Sequence, residues 1–324
     1  MAGFSWGAVL IGLCLAWTTA TPHTLAQTGP YLRPALSASE VFDDNIFFAS
    51  SDGNREHDVI TRFTPALEGG YRSTPLTITA RYTFDAEIYT EHPELTSPQV
   101  RQQGMLEFTS QPNRLLTMKL EGSYFQTRTP FELNLLTGIA IRRTRAERYS
   151  VAPSLTYQID RLTTTSGDYA FNSDRISGGL TIDTHVAHWT LDRRLTRLDT
   201  VGPGYTFQQL TFGGVASTTM HAATLGWERA FTPLSRLNLR AGPRLVDGLL
   251  DDQPEVEASF RHTLQRGEVS VTYTNTLRSI IGQPGAVQID SVLGSFLFDV
   301  NPRLRVTAGP GFSRTRGSNF TVNV

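Results

Sequence analysis

From Leu76 to Ile88 the chain alternates without a break. Leu76, Ile78, Ala80, Tyr82, Phe84, Ala86 and Ile88 are apolar, while Thr77, Thr79, Arg81, Thr83, Asp85 and Glu87 are polar. A period of two predicts a β-strand with one apolar and one polar face, because successive Cβ atoms point to opposite sides of a sheet. The stretch is about twice as long as the usual strand of a soluble sheet. At about 3.3 Å per residue and a tilt of about 45° it crosses roughly 30 Å, the hydrocarbon thickness of a bilayer. Alternation alone does not say which face is wet.

The same reading along the chain predicts strands over 31–46, 58–71, 99–110, 114–127, 147–157, 162–171, 221–231, 237–246, 255–264, 269–277, 286–298 and 304–313. Between 176 and 219 the pattern is ambiguous: a strand ends near Trp189 and Leu191, and 202–217 reads as a long loop or as a further strand pair. Tight turns at 73–75, 111–113, 159–161, 232–236, 265–267 and 300–303 alternate with longer connections at 47–57, 91–98, 128–142, 247–254 and 280–285. Such asymmetry puts short turns at one end and long loops at the other, as in an all-β, transmembrane, up-and-down antiparallel β-barrel. Fifteen strands and a short remnant at 320–324 are counted, so an even-numbered closed barrel has about sixteen, with fourteen as the alternative. Pro34, Pro65, Pro153, Pro243 and Pro310 fall inside these strands, where they read as bulges or as strand ends.

Composition changes the picture in three places. Residues 1–26 carry no Lys, Arg, Asp or Glu, and their apolar core, 8–16, is too short for a membrane helix; with Thr24-Leu25-Ala26 at its end the segment reads as a signal peptide, leaving 27–324 as the barrel. The only cysteine, Cys14, lies inside it, so disulfide and thiolate chemistry are not expected. A net charge of −1 argues against nucleic acid as a partner, and Lys119 is the only lysine among 29 basic residues. Past the signal no apolar run approaches the length of about 20 residues that a transmembrane helix requires.

No catalytic signature is present, and no cofactor or metal site is expected. His185 and His188 near Asp183 and Asp192 are weighed as a metal or acid–base cluster and read instead as scattered polar residues; Asp43, Asp44, Asn45 and Asp52 are weighed as Ca²⁺ ligands and read as a solvated turn. The polar faces carry Arg81, Asp85, Glu87, Lys119, Glu121, Arg148, Arg240, Arg244 and Arg305, which are expected to line the lumen as ion-pair ladders or as a charged constriction. The apolar loop 128–142, with Phe131, Leu135 and Arg142, is expected to fold inward as a constriction. Tyr71, Tyr89, Tyr157, Trp227 and Phe231 near strand ends suit interfacial girdles.

Ser39-Glu40-Val41-Phe42-Asp43-Asp44-Asn45-Ile46-Phe47, followed by Asp58-Val59-Ile60 and Thr64-Pro65-Ala66-Leu67, resembles the opening of outer-membrane β-barrel proteins encoded with exopolysaccharide biosynthesis systems, with Phe42 in place of the usual Tyr. The resemblance implies a non-enzymatic, porin-like barrel in the outer membrane of a Gram-negative bacterium. Its expected partners are outer-membrane lipid and lipopolysaccharide, the barrel-assembly machinery, and polysaccharide or polysaccharide-export proteins. Two rival readings stay open: a plugged structural or receptor barrel acting through its loops, and a soluble periplasmic β protein.

Overall fold

A computed structural model describes residues 28–47, 55–128, 133, 144–214, 216–247, 249–250, 253–280, 285–301, 304–317 and 320–323. The expected signal peptide (1–26), Asp52, and Phe131, Leu135 and Arg142 of the apolar loop lie outside these residues. The strands are β1 (Gly29–Asp43), β2 (Asp58–Arg72), β3 (Leu76–Tyr89), β4 (Ser97–Ser110), β5 (Leu116–Thr127), β6 (Ala146–Gln158), β7 (Thr163–Ile176), β8 (Ile182–Arg194), β9 (Asp199–Phe212), β10 (Ala216–Thr232), β11 (Ser235–Gly242), β12 (Arg244–Val246), β13 (Leu249–Leu250), β14 (Glu255–Leu264), β15 (Gly267–Ser279), β16 (Ala286–Asn301), β17 (Leu304–Ala308), β18 (Gly311–Gly317) and β19 (Phe320–Asn323). All belong to one antiparallel sheet. One crossing is interrupted at Pro243 and another at Gly309-Pro310, and β13 is a two-residue spur, so the described residues make sixteen crossings, the last of four residues. Among the described residues β1 pairs with β2 alone, so no ladder joins β1 to β18 or β19.

The turn end is staggered with complete regularity. Leu76 lies in one row with Ser110, Met118 and Leu155, and Leu116, which opens the next rising strand, sits two residues lower. The same two-residue step leads from Leu116 to Thr163, Asp199, Ser235, Gly267 and Leu304. One residue of about 3.3 Å per strand spacing of about 4.8 Å is a tilt of about 35°, which is the inclination of membrane barrels. The sheet curls until β6 and β15 face each other, with Arg148 within electrostatic reach of Arg278.

The outer face has a sharp boundary. Exposed Leu115, Ile159, Leu162, Leu195, Leu198, Leu234 and Leu304 mark the turn rim. Six residues above the first residue of their strands stand Tyr82, Tyr169, Tyr205 and Tyr273, and the common stagger puts all four at one height. Each hydroxyl reaches toward the loop end, to Gln102 (2.7 Å), His185 (2.6 Å), His221 (2.6 Å) and Asp290 (3.5 Å). Six residues along strands so tilted rise about 16 Å, and the ring itself adds several more, which matches an apolar band about 25 Å tall. Above that ring the outer face of β4–β10 and β15–β18 carries Gln102, Gln126, Asp183, His185, Gln209, His221, Asp290 and Arg314, with Phe171 and Phe207 among them; over β1–β3 it stays apolar, with Phe42, Val59 and Ile88 exposed. Of the five expected girdle aromatics, Tyr71, Tyr157, Trp227 and Phe231 share the outer face. Tyr89 does not: it is buried against Ile46 and Ile60.

The five prolines are not bulges, for the registers run past them unchanged, and the breaks in register fall at 85–87, 230–232 and 299–301; Pro243 and Pro310 do mark strand ends, while Pro34, Pro65 and Pro153 lie within β1, β2 and β6. A proline lacks only its N–H; the carbonyls of Pro243 and Pro310 still accept from Ala223 and Gly294, and that keeps the strands in step. The loop end is not uniformly long, since Ile176 is joined to Ile182, and Phe212 to Ala216, by connections as short as those at the turn end. Residues 202–217 are neither one loop nor a separate pair: they complete β9 and open β10.

Candidate functional site: the inner wall

The registers put Arg81, Asp85, Glu87, Lys119, Glu121, Arg148, Arg240, Arg244 and Arg305 on one face, opposite the exposed leucines and tyrosines. Most are held in ion pairs between neighbouring strands. Arg62 contacts Glu87 (2.6 Å) and Asp85 (3.9 Å), and Arg101 reaches Asp85 at 4.0 Å. Thr64 donates to Asp85 (2.7 Å) and the Tyr89 hydroxyl to Glu87 (3.0 Å), so both buried carboxylates are satisfied. Arg148 clasps Asp174 with two bonds of 2.5 and 2.8 Å, and Arg305 does the same to Asp299. Arg244, fully buried, meets Glu255 at 3.2 Å. Lys119 and Glu121 make no ion pair among the described residues, and Glu121 lies directly opposite Glu107, a like-charge pairing that opposes the ladder.

Arg240 shows how the sequence makes room for a long cation on this wall. Its side chain lies across Gly226 and Gly204 to reach Asp192 on β8, at 3.6 Å. A Cβ on Gly204 would stand 2.2 Å from its Nη1, and one on Gly226 2.8 Å from its Nη2. A side chain at either position would displace the guanidinium, which occupies the space that the missing side chain leaves. Between β1 and β4 the wall forms a recess of about 380 Å³ lined by Arg62, Arg81 and Arg101, one carboxylate (Asp85), and Ser39, Thr64, Thr83 and Gln103. Arg81 is the guanidinium there without an acidic partner among the described residues; Glu68 faces it across the ladder outside ion-pair distance.

Toward the loop end the wall changes character. Ile182, Leu210, Phe212 and Met220 are buried on the inner side and pack with Leu277, which lies on the Tyr273 face of β15, while Ile280, Val287 and Ile289 form a second cluster and Ile46, Ile60 and Tyr89 a third. An apolar collar therefore stands above the charged wall. Along β8–β10 it coincides with the polar outer belt, so the apolar residues switch from the outer to the inner face partway up each strand.

The motif residues of the opening segment build the rim over β1–β3. Ser39, Glu40 and Asp43 belong to β1; Asp43 then accepts the Asn45 N–H (3.0 Å), Asp44 completes the bend, and Ile46 drops into the collar while Phe47 meets the His92 ring edge-on at 5.6 Å. Fully buried Asp58 accepts the backbone N–H groups of Thr90, Glu91 and His92 at 2.9 to 3.0 Å, and His92 bridges it to Glu56. Neither Asp58 nor His92 stood out in the sequence as a structural node, although Asp58 opens the D-x-I motif. His185 and His188 fall on opposite faces of β8: His185 meets Tyr169 outside, and His188 meets Asp168 (3.1 Å) inside. Among the described residues no group of three or more His, Cys, Asp and Glu is placed to hold a metal ion.

The rim carries a pH response. Hydrogen bonds to Glu56 and Asp58 raise the His92 pKa above its ordinary 6.5. Burial works against the Asp58 charge, but the bonds from Glu91, His92 and Thr90 outweigh it and hold its pKa below 3.8. The His92 contribution is complete below 6.5 and is lost as pH rises through the raised value; the Asp58 contribution is present above 3.8 and is lost as pH falls below it. Hydrogen exchange of the Thr90–His92 amides, corrected for intrinsic rate, is expected to accelerate from neutral to alkaline pH in the native protein. His92→Gln is expected to remove that change.

No family model matches the chain, and no curated protein matches it. Solved structures do. The chain is similar to the FrpB iron transporter of Neisseria meningitidis (8% identity, TM-score 0.46, covering 88% of this chain and 57% of that one). It is also similar to a BenF-like porin of Pseudomonas fluorescens (7%, 0.39, 93% and 100%) and to OccK1 of Pseudomonas aeruginosa (9%, 0.39, 91% and 94%). The chain spans a little over half the length of FrpB.

Proposed function

We propose that the protein is a non-enzymatic, porin-like conduit of a Gram-negative outer membrane. The observation that carries this reading is the division of one tilted sheet into two faces: an outer apolar band bounded by a tyrosine ring, and an inner wall of arginine and carboxylate groups. An apolar band of that height is matched to a bilayer, and a charged wall needs water. The wall orients charged solutes by its fixed guanidinium groups, and the apolar collar sets the narrowest, least wettable part of the path. The resemblance of Ser39–Phe47 to barrels encoded with exopolysaccharide systems supports a polysaccharide or its fragments as the passenger.

The collar favours a second reading, in which the barrel is shut at rest and opens on engagement of its loop end. Reconstitution in planar bilayers separates the two. Steady ohmic conductance is expected for the conduit; silence at all voltages favours the shut barrel. Absence of heat-modifiable migration and recovery in the soluble fraction would overturn both.

A further inference from the structure

Two pieces of the outer face repeat. Tyr169, Phe171 and His185 form one group across β7 and β8; Tyr205, Phe207 and His221 form another across β9 and β10, each residue 36 positions further along the chain. In both, the tyrosine hydroxyl lies 2.6 Å from histidine Nδ1. The histidine ring packs on the phenylalanine ring, with centroids 4.9 and 5.3 Å apart. The strand stagger puts His185 and His221 at one height, about 24 Å above the turn rim by the rise of tilted strands. That is the upper edge of the apolar band, where lipid headgroups lie.

A lipid-facing position is normally apolar, and a histidine there needs a partner. A tyrosine hydroxyl that donates to Nδ1 leaves the ring proton on Nε2. Nε2 has no partner among the described residues in either ring. The two histidines stand two strands apart and two residues out of row, about 12 Å between their backbones, with Gln209 opposite His185 and Phe207 opposite His221 on the strand between them. The charged outer residues nearby are Asp183, two positions above His185 on the same strand, Arg175 beyond it on β7, and Asp247, whose carboxylate accepts the Thr219 N–H (2.7 Å) two positions above His221. We propose that these groups are paired clamps for a phosphorylated glycolipid of the outer leaflet: Nε2–H donors take the phosphates, and the phenylalanine and tyrosine rings take the apolar faces of the sugars. Tyr169 and Tyr205 are positioning residues that fix the imidazole tautomer.

The proposal rests on the membrane reading above, and the two are tested separately. Heat-modifiable migration establishes a folded membrane barrel. Native mass spectrometry of that barrel in detergent then measures retention of diphosphorylated lipid A and of the same lipid with its phosphates removed. The native protein is expected to prefer the phosphorylated lipid by about tenfold or more, two charge-assisted hydrogen bonds being worth at least that. His185→Phe with His221→Phe is expected to abolish the preference, and Tyr169→Phe with Tyr205→Phe to weaken it. A folded native barrel that holds both lipids equally overturns the proposal, as does a folded double histidine variant that keeps the native preference. Should the phenylalanine variant not fold, His185→Leu with His221→Leu, which also carries no donor, serves in its place.

Discussion

Ala80→Arg is expected to keep the protein out of the membrane. Ala80 lies on the outer face in one row with Leu106, between the turn rim and the tyrosine ring. An arginine on the lipid face near mid-membrane costs about 2–4 kcal/mol. The neighbouring Thr79 faces the wall, directly opposite Glu107. Thr79→Arg gives up one hydrogen bond, to the Tyr31 hydroxyl (3.0 Å), worth about 1 kcal/mol, and places a guanidinium beside a carboxylate. Folding into phospholipid vesicles, scored by heat-modifiable migration, is expected to fail for the first variant and succeed for the second. The opposite pattern would reverse the two faces of the barrel.

Arg62→Ala is expected to be the most destabilising single change on the inner wall. It leaves Glu87, only 4% exposed, with the Tyr89 hydroxyl alone, and takes one of two cations from Asp85. Removing one partner of a buried pair costs about 3–5 kcal/mol, and the lower end applies because the Arg62 side chain is 29% exposed to the water of the lumen. Removing both charges, as Arg62→Met with Glu87→Gln, is expected to restore much of the loss, since no buried charge is then stranded. Midpoints of thermal unfolding in detergent measure both. Equal midpoints for the native protein and Arg62→Ala would mean that water, and not Arg62, satisfies Glu87.

The alternation of Leu76–Ile88 has the same physical content in the sequence and in the structure. A strand that separates lipid from a charged wall must alternate, and β1–β7 do so closely enough to be read strand by strand. The failure between 176 and 219 also has a cause. In β8–β10 the apolar residues move from Trp189, Tyr205 and Leu225 outside to Ile182, Leu210 and Met220 inside. A half-strand of each phase sums to no clear period, so 202–217 reads equally as a long loop or as a further strand pair.

The sequence by itself determined the class of fold and the alternation that gives each strand its two faces. Parity along a strand suffices for each of these. The common height of the four tyrosines, the reach of Arg240 across Gly226 and Gly204, the rim node at Asp58 and His92, and the two outward clamps were decided only by tertiary structure. Each depends on the stagger between strands and on which residue stands opposite which, and that register is a property of the assembled sheet.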